Sequence, residues 1–126
     1  MDIYFGGAYN GKLNYVKEKY KIEDKDIFYC KDSEIDFSKR VICGIHKFIY
    51  YNALNNKESV DYFKSNIEKF KDKIIICDEI SSGIVPIKKE ERLWREETGK
   101  VMKLLTQESN LVCKIFFGIP MVIKNE

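Results

Sequence analysis

Gly6-Gly7-Ala8-Tyr9-Asn10-Gly11-Lys12-Leu13 is the stretch of this 126-residue chain whose residue types and spacing could do chemistry. It fits the pattern Gly-x4-Gly-Lys, in which glycines let the backbone curl until successive N–H groups converge on one anion. The following helix adds the partial positive charge of its N-terminus, and the lysine reaches the β- and γ-phosphates of a nucleotide. A chain of this composition produces the pattern by chance about 0.06 times. Here it also directly follows an apolar run and opens a helix-like one. The eighth position departs from the pattern. A Ser or Thr there would place a hydroxyl on Mg²⁺, whereas Leu13 cannot ligate a metal. The residues therefore predict a phosphate cradle over Gly6–Leu13, with metal-assisted phosphoryl transfer impaired and no metal ligands assigned. A glycine-rich turn that binds nothing is the competing reading.

The elements that must position this loop follow from periodicity. Asp2–Phe5 reads as a strand, and Lys12–Tyr20, with Leu13, Val16 and Tyr20 at helical spacing, as a helix. Ile27–Cys30 and Val41–Cys43 read as strands, Lys31–Lys39 as a polar loop, and Ile45–Leu54 as a helix. Ser59–Lys71 carries Val60, Phe63, Ile67 and Phe70 at steps of 3, 4 and 3 and predicts one amphipathic helix. Ile74–Cys77 is apolar throughout, as a strand buried on both faces should be. Lys89–Gln107 is a charged helix with an inward stripe of Trp94, Thr98, Val101 and Leu105. Val112–Phe117 is another strand, and Met121-Val122-Ile123 closes the chain. Strands alternating with helices predict a single α/β domain over residues 1–126, P-loop NTPase-like, in three layers around a mainly parallel sheet.

Composition narrows the function classes. Apolar residues make up 44 % and aromatics 13 %, which excludes intrinsic disorder. The 22 basic and 20 acidic side chains nearly cancel, and only Arg40, Arg92 and Arg95 are arginine, which argues against nucleic acid. No run is long enough for a membrane span. The start Met1-Asp2-Ile3-Tyr4 lacks a basic n-region, so the expected compartment is the cytoplasm. Cys30, Cys43, Cys77 and Cys113 stand 13, 34 and 36 residues apart without a Cys-x-x-Cys pair, and read as four buried thiols. His46, the chain's one histidine, reads as a structural residue at the end of a strand. Glu79 follows an apolar strand directly, which puts a carboxylate at the sheet edge where doubly wound folds bind ligands. It is a candidate catalytic residue with Lys12, and a capping role is as plausible on sequence grounds.

Cys77-Asp78-Glu79-Ile80-Ser81-Ser82-Gly83-Ile84-Val85-Pro86 resembles the Ser-Asn-Glu-Val-Gly-x-Gly-Ile-Val-Pro stretch of the bifunctional adenosylcobinamide kinase/adenosylcobinamide-phosphate guanylyltransferase family. Arg92-Leu93-Trp94-Arg95-Glu96-Glu97-Thr98-Gly99 resembles that family's Arg-x-Phe-Arg-Asp-x-x-Gly helix. Phe117-Gly118-Ile119-Pro120 is similar to its Gly-Leu-Pro stretch, and Gly6-Gly7-Ala8-x-x-Gly11-Lys12 to its phosphate loop, all in the family's order. There are departures. The family has Ser where Leu13 stands, and an acid at the end of the third strand, where Cys43 stands. Its Asn before the central Glu is Asp78 here, and its Asn-Gln after the helix glycine is replaced by Met102-Lys103. The segment after its second strand bears the histidine that is guanylylated, whereas Lys31–Lys39 is short and has none.

The resemblance implies a nucleotide-binding protein of cobalamin biosynthesis that uses GTP or ATP to phosphorylate a cobinamide hydroxyl. Its partners would be a nucleotide and a corrinoid, and neither nucleic acid nor membrane. The guanylyltransferase segment is missing, and Leu13 counts against both Mg²⁺ and kinase turnover. The resemblance also implies a homo-oligomer, a trimer, and a second apolar strip on the last helix (Leu93, Met102, Leu104) offers a contact surface. The alternative is a non-catalytic remnant, a structural or partner-binding oligomer with an empty loop.

Overall fold

The computed structural model describes residues 1–80 and 88–126. The stretch Gly83-Ile84-Val85-Pro86, part of the family resemblance, lies outside the described residues. Five strands run parallel: β1 (Asp2–Gly6), β2 (Ile27–Tyr29), β3 (Val41–Cys43), β4 (Ile74–Asp78) and β5 (Leu111–Phe116). A sixth, β6 (Ile119–Asn125), returns antiparallel along β5, and the spatial order is β2-β3-β4-β1-β5-β6. The central pair is the most apolar. Ile74, Ile75, Ile76 and Cys77 are all buried, because helices cover both faces of β4.

Side chains alternate between two cores with the period of two that a strand imposes. Ile3, Ile42, Ile75, Cys77 and Val112 face one side, where they meet α2 (Ile45–Leu54), α3 (Val60–Ser65), α4 (Ile67–Phe70) and α5 (Lys89–Glu108). Tyr4, Val41, Ile74, Ile76, Cys113 and Ile115 face the other, covered by α1 (Lys12–Tyr20) through Val16. A chain of hydroxyls ties the end of α1 to the start of β1: the Tyr4 and Tyr20 hydroxyls lie 2.7 Å apart, and Tyr20 donates to Asp2 Oδ2 at 2.6 Å. On the opposite face Phe63 stacks on Phe70 and meets Phe48 edge-on, at 5.1 and 5.5 Å between ring centres.

The expected three layers and mainly parallel sheet are present, with local differences. The single helix expected over Ser59–Lys71 is two, because Asn66 leaves helical geometry and its Nδ2 donates to the Tyr62 carbonyl at 2.8 Å. Asn competes with the helix for backbone partners in this way. The inward stripe of α5 is as expected, with Thr98, Val101 and Leu105 buried and Trp94 half-buried. Its second strip is not a solvent-facing surface, since Leu93, Met102 and Leu104 are half-buried. A cluster of exposed apolar side chains lies on the β5–β6 hairpin instead: Phe116, Phe117, Ile119, Met121, Val122 and Ile123. All four cysteines are free, but Cys43 is half-buried rather than buried.

α5 is anchored by polar contacts as well as packing. Trp94 Nε1 donates to the His46 carbonyl at 2.8 Å, and its ring meets Tyr50 at 4.7 Å. Glu97, fully buried, accepts the backbone N–H groups of Ser59 and Val60 at 2.7 and 3.1 Å. It thus caps the start of α3 from a neighbouring helix, satisfying donors that α3 cannot satisfy itself. Among the described residues no helix is long and apolar enough to cross a membrane.

Candidate functional site

The parallel register brings the site together. Gly6, the last residue of β1, pairs with Asp78, the last residue of β4, so the loop and a carboxylate emerge side by side at one sheet edge. Gly6 is required there: at its φ of 154° a Cβ would stand 2.4 Å from the Ile115 carbonyl oxygen. The loop then passes through Tyr9 (φ 63°) and Gly11 (φ 83°) before α1 begins at Lys12. Asn10 accepts a 2.8 Å hydrogen bond from the N–H of Gly118, which pins the loop to the β5–β6 turn. Ala8 is exposed, and Tyr9 is fully exposed at the loop's apex. No side chain caps α1 and no acid lies in its first turn, so its N-terminal dipole is not neutralised from within the helix.

Lys12 is buried, and its ammonium group donates to the Gly7 carbonyl at 2.8 Å and meets Asp78 Oδ1 at 2.8 Å. The lysine therefore reaches back across its own loop to the end of β4. Leu13 is half-buried and packs into the core under α1. Glu79, the sequence candidate, takes a different direction: its Oε2 lies 3.4 Å from Lys114 Nζ, while its N–H donates to the Gly6 carbonyl at 2.7 Å.

His46 is not a bystander at a strand end. Gly44, with φ 86°, turns the chain sharply from β3 into α2, and this places His46 in the first turn of that helix. There it is buried against Asp78. Its Nδ1 accepts the Asp78 N–H at 3.1 Å, so the ring proton sits on Nε2, 3.4 Å from Asp78 Oδ2. Burial holds the imidazole pKa below its ordinary value and Lys47 and Lys12 lower it further, against the attraction of Asp78. His46 thus orients Asp78 as a neutral hydrogen-bond partner. Cys43, at the end of β3, stays a thiol: burial and the Asp78 charge push its pKa up to about 11.

Two cavities meet at Asp78. One, of about 200 Å³, is bounded by Tyr9, Gly11, Lys12, Leu13, Cys43 and Asp78. The other, of about 550 Å³, opens on the far side of β4 toward α5 and β6 and is bounded by Asp78, Glu79, Thr98, Gly99 and Met102 among others. Of the loop residues, Tyr9, Gly11, Lys12 and Leu13 border the smaller cavity. The sequence reading misses Asp78 and His46. The signal for Asp78 was the same as that used for Glu79, an acid directly after an apolar strand, displaced by one residue.

The buried neutral histidine has a measurable consequence. Unfolded, His46 takes up a proton near its ordinary pKa of 6.5, and folded it resists doing so. Its contribution is therefore complete above that pH and is lost as pH falls below it. Urea midpoints at pH 7.5 and 5.5 should show the native protein weakened at the lower pH, with a smaller difference in His46→Asn.

The chain matches the cobinamide kinase / cobinamide phosphate guanyltransferase family over residues 45–123. No curated protein matches it significantly. The matched stretch starts at the first residue of α2 and ends within β6; the Gly6–Leu13 loop lies before it and is read from its own geometry. The family's fold is P-loop NTPase-like, in keeping with the six-stranded, mainly parallel sheet. With His46, Asp78 and the whole of α5 inside a match covering more than half of its length, the chain belongs to the cobinamide kinase / cobinamide phosphate guanyltransferase family.

Proposed function

We propose that this protein binds GTP or ATP on the Gly6–Leu13 loop and works, kinase-fashion, on a cobinamide hydroxyl in cobalamin biosynthesis, without the guanylyl-transfer half of the family's chemistry. One observation carries the reading: the loop lysine is buried within ion-pair distance of the carboxylate that ends the central strand, 2.8 Å away. Loop N–H groups and the uncapped start of α1 would hold the β- and γ-phosphates. Lys12 then exchanges Asp78 for phosphate oxygens, which frees the carboxylate to face the acceptor. The acceptor oxygen attacks the γ-phosphorus and its proton passes to Asp78. The bond from phosphorus to the β–γ bridging oxygen breaks, and the nucleoside diphosphate leaves with that electron pair. His46 is a positioning residue through Asp78. Glu79, held by Lys114, borders the neighbouring cavity.

Mg²⁺ fits these residues poorly. Leu13 offers no oxygen at the position where a phosphate loop of this pattern supplies a hydroxyl. Among the described residues no group of three His, Cys, Asp or Glu is placed to hold a metal.

Guanylyl transfer by the route the family resemblance implies needs an accessible histidine nitrogen. The chain's one histidine has Nδ1 occupied by a backbone N–H and Nε2 turned to a carboxylate. The segment between β2 and β3 has none. A homo-oligomer, a trimer by resemblance, belongs to the same reading. The exposed apolar side chains of the β5–β6 hairpin are its support, because patches of this kind are normally covered. Light scattering should give a multiple of 14.9 kDa.

A second reading, the non-catalytic remnant, draws on the same contacts, since Lys12 is satisfied by the protein's own oxygens. Calorimetry with GTP and ATP separates the two. The nucleotide reading expects binding that Lys12→Ala weakens by about 1.5–3 kcal/mol, roughly ten- to a hundred-fold. Absence of binding by the native protein would leave the remnant.

A further inference from the structure

We propose that Tyr9 and Phe117 form an aromatic rim that stacks on the base of the nucleoside triphosphate. The rim depends on the nucleotide reading of the Gly6–Leu13 loop and holds the opposite end of the same ligand. Two separate turns carry these rings. Each puts its aromatic residue in a left-handed conformation, at φ 63° for Tyr9 and 50° for Phe117. That region is uncommon for residues other than glycine, and for a bulky side chain it is an outlier.

The second turn is the clearer case. β5 ends at Phe116 and β6 begins at Ile119, so Phe117-Gly118 is a two-residue hairpin loop with both residues at positive φ. Such loops favour Asn-Gly, Asp-Gly or Gly-Gly, because a larger side chain is strained at the first position. Phe117 occupies it nonetheless, 74 % exposed, with the exposed Phe116 edge-on at 4.5 Å. On the loop, Tyr9 is fully exposed, so its ring gains nothing from the fold. Glycine would make both turns with less strain. Strain kept at exposed residues points to a role outside the protein's own packing.

The two turns are joined. The Gly118 N–H donates to the Asn10 carbonyl at 2.8 Å, and the Gly118 Cα lies 3.6 Å from where a Cβ on Gly11 would stand. Tyr9 and Phe117 are each one residue from this junction. The cavity beside it, bounded by Tyr9, Gly11 and Lys12, measures about 200 Å³. A site that encloses a small molecule takes roughly 300–1,000 Å³. Phosphates fit the smaller space, and a base joined to them must lie outside it, across the rim. Every base has a π face, so aromatic side chains there hold it by stacking, worth about five- to a hundred-fold in affinity. A contact with a second copy of the chain would draw on Met121, Val122 and Ile123 further along β6, which are exposed without positive φ. The strained aromatic residues are confined to the junction with the phosphate loop.

Titration calorimetry in metal-free buffer with ATP and with tripolyphosphate, which has the phosphates and no base, reads the contribution of the base as a ratio of affinities. Asn tolerates the left-handed region, so Tyr9→Asn and Phe117→Asn keep the backbone and remove the ring. We expect the native protein to prefer ATP by about five-fold or more. The ratio should fall in each variant and approach one in the double variant, and Phe117→Tyr should keep it. Urea midpoints of the Asn variants should be no lower than native, which a purely structural role for the rings would not give. An undiminished ratio in the double variant would overturn the proposal. Equal native affinity for ATP and tripolyphosphate would overturn it and leave the phosphate loop standing. Binding of neither would refute the nucleotide reading and the rim with it. If the double variant keeps its ATP preference but loses mass in light scattering, the rings belong to a contact between copies, and the proposal falls.

Discussion

The ion pair between Lys12 and Asp78 is the constraint around which the rest of the site is arranged. Lys12 is buried, and an ammonium group out of water needs a compensating negative charge. Asp78 supplies it at 2.8 Å, and the Gly7 carbonyl adds a second acceptor. Asp78 is about a third exposed, 31 % by side chain, so solvent screens the pair and its net worth is modest, about 1–3 kcal/mol. Its position matters more than its energy. The parallel register of β1 and β4 fixes it, and the register in turn depends on the apolar residues of both strands being shared between two cores.

The neighbours of Asp78 follow from this. β3 ends beside β4, and the N–H of Gly44 donates to the Ile76 carbonyl at 2.7 Å. That hydrogen bond and the left-handed turn at Gly44 start α2 so that its first turn lands on Asp78. Trp94 then locks α2 to α5 through the His46 carbonyl, which connects the family-matched helix to the loop lysine through three side chains. Leu13 shows the other side of the departure from the usual phosphate loop. The position that would carry a metal-binding hydroxyl instead packs with Val16 and the strand side chains under α1.

Much of this was legible in the sequence, and the exceptions have identifiable physical causes. The order of strands and helices, the loop, and the inward face of α5 follow from hydrophobic period and glycine placement. The split of Ser59–Lys71 turns on a single Asn whose side chain competes for a helix carbonyl, against an apolar period that runs straight through it. The antiparallel return of β6 could not be read from Met121-Val122-Ile123, because an edge strand with exposed faces has no alternation to show. The choice between Asp78 and Glu79 depends on where β4 ends relative to β1. That one-residue register reverses the facing of every side chain. His46 was silent in sequence because its role comes from a turn and a contact across 32 positions.

The central claim is that Lys12 must exchange Asp78 for phosphate, so the carboxylate competes with the anion for the lysine. Removing the negative charge while keeping the shape should therefore strengthen anion binding. Titration calorimetry of Asp78→Asn with tripolyphosphate in metal-free buffer measures this directly. The account predicts several-fold tighter binding than in the native protein. Equal or weaker binding in Asp78→Asn would contradict it.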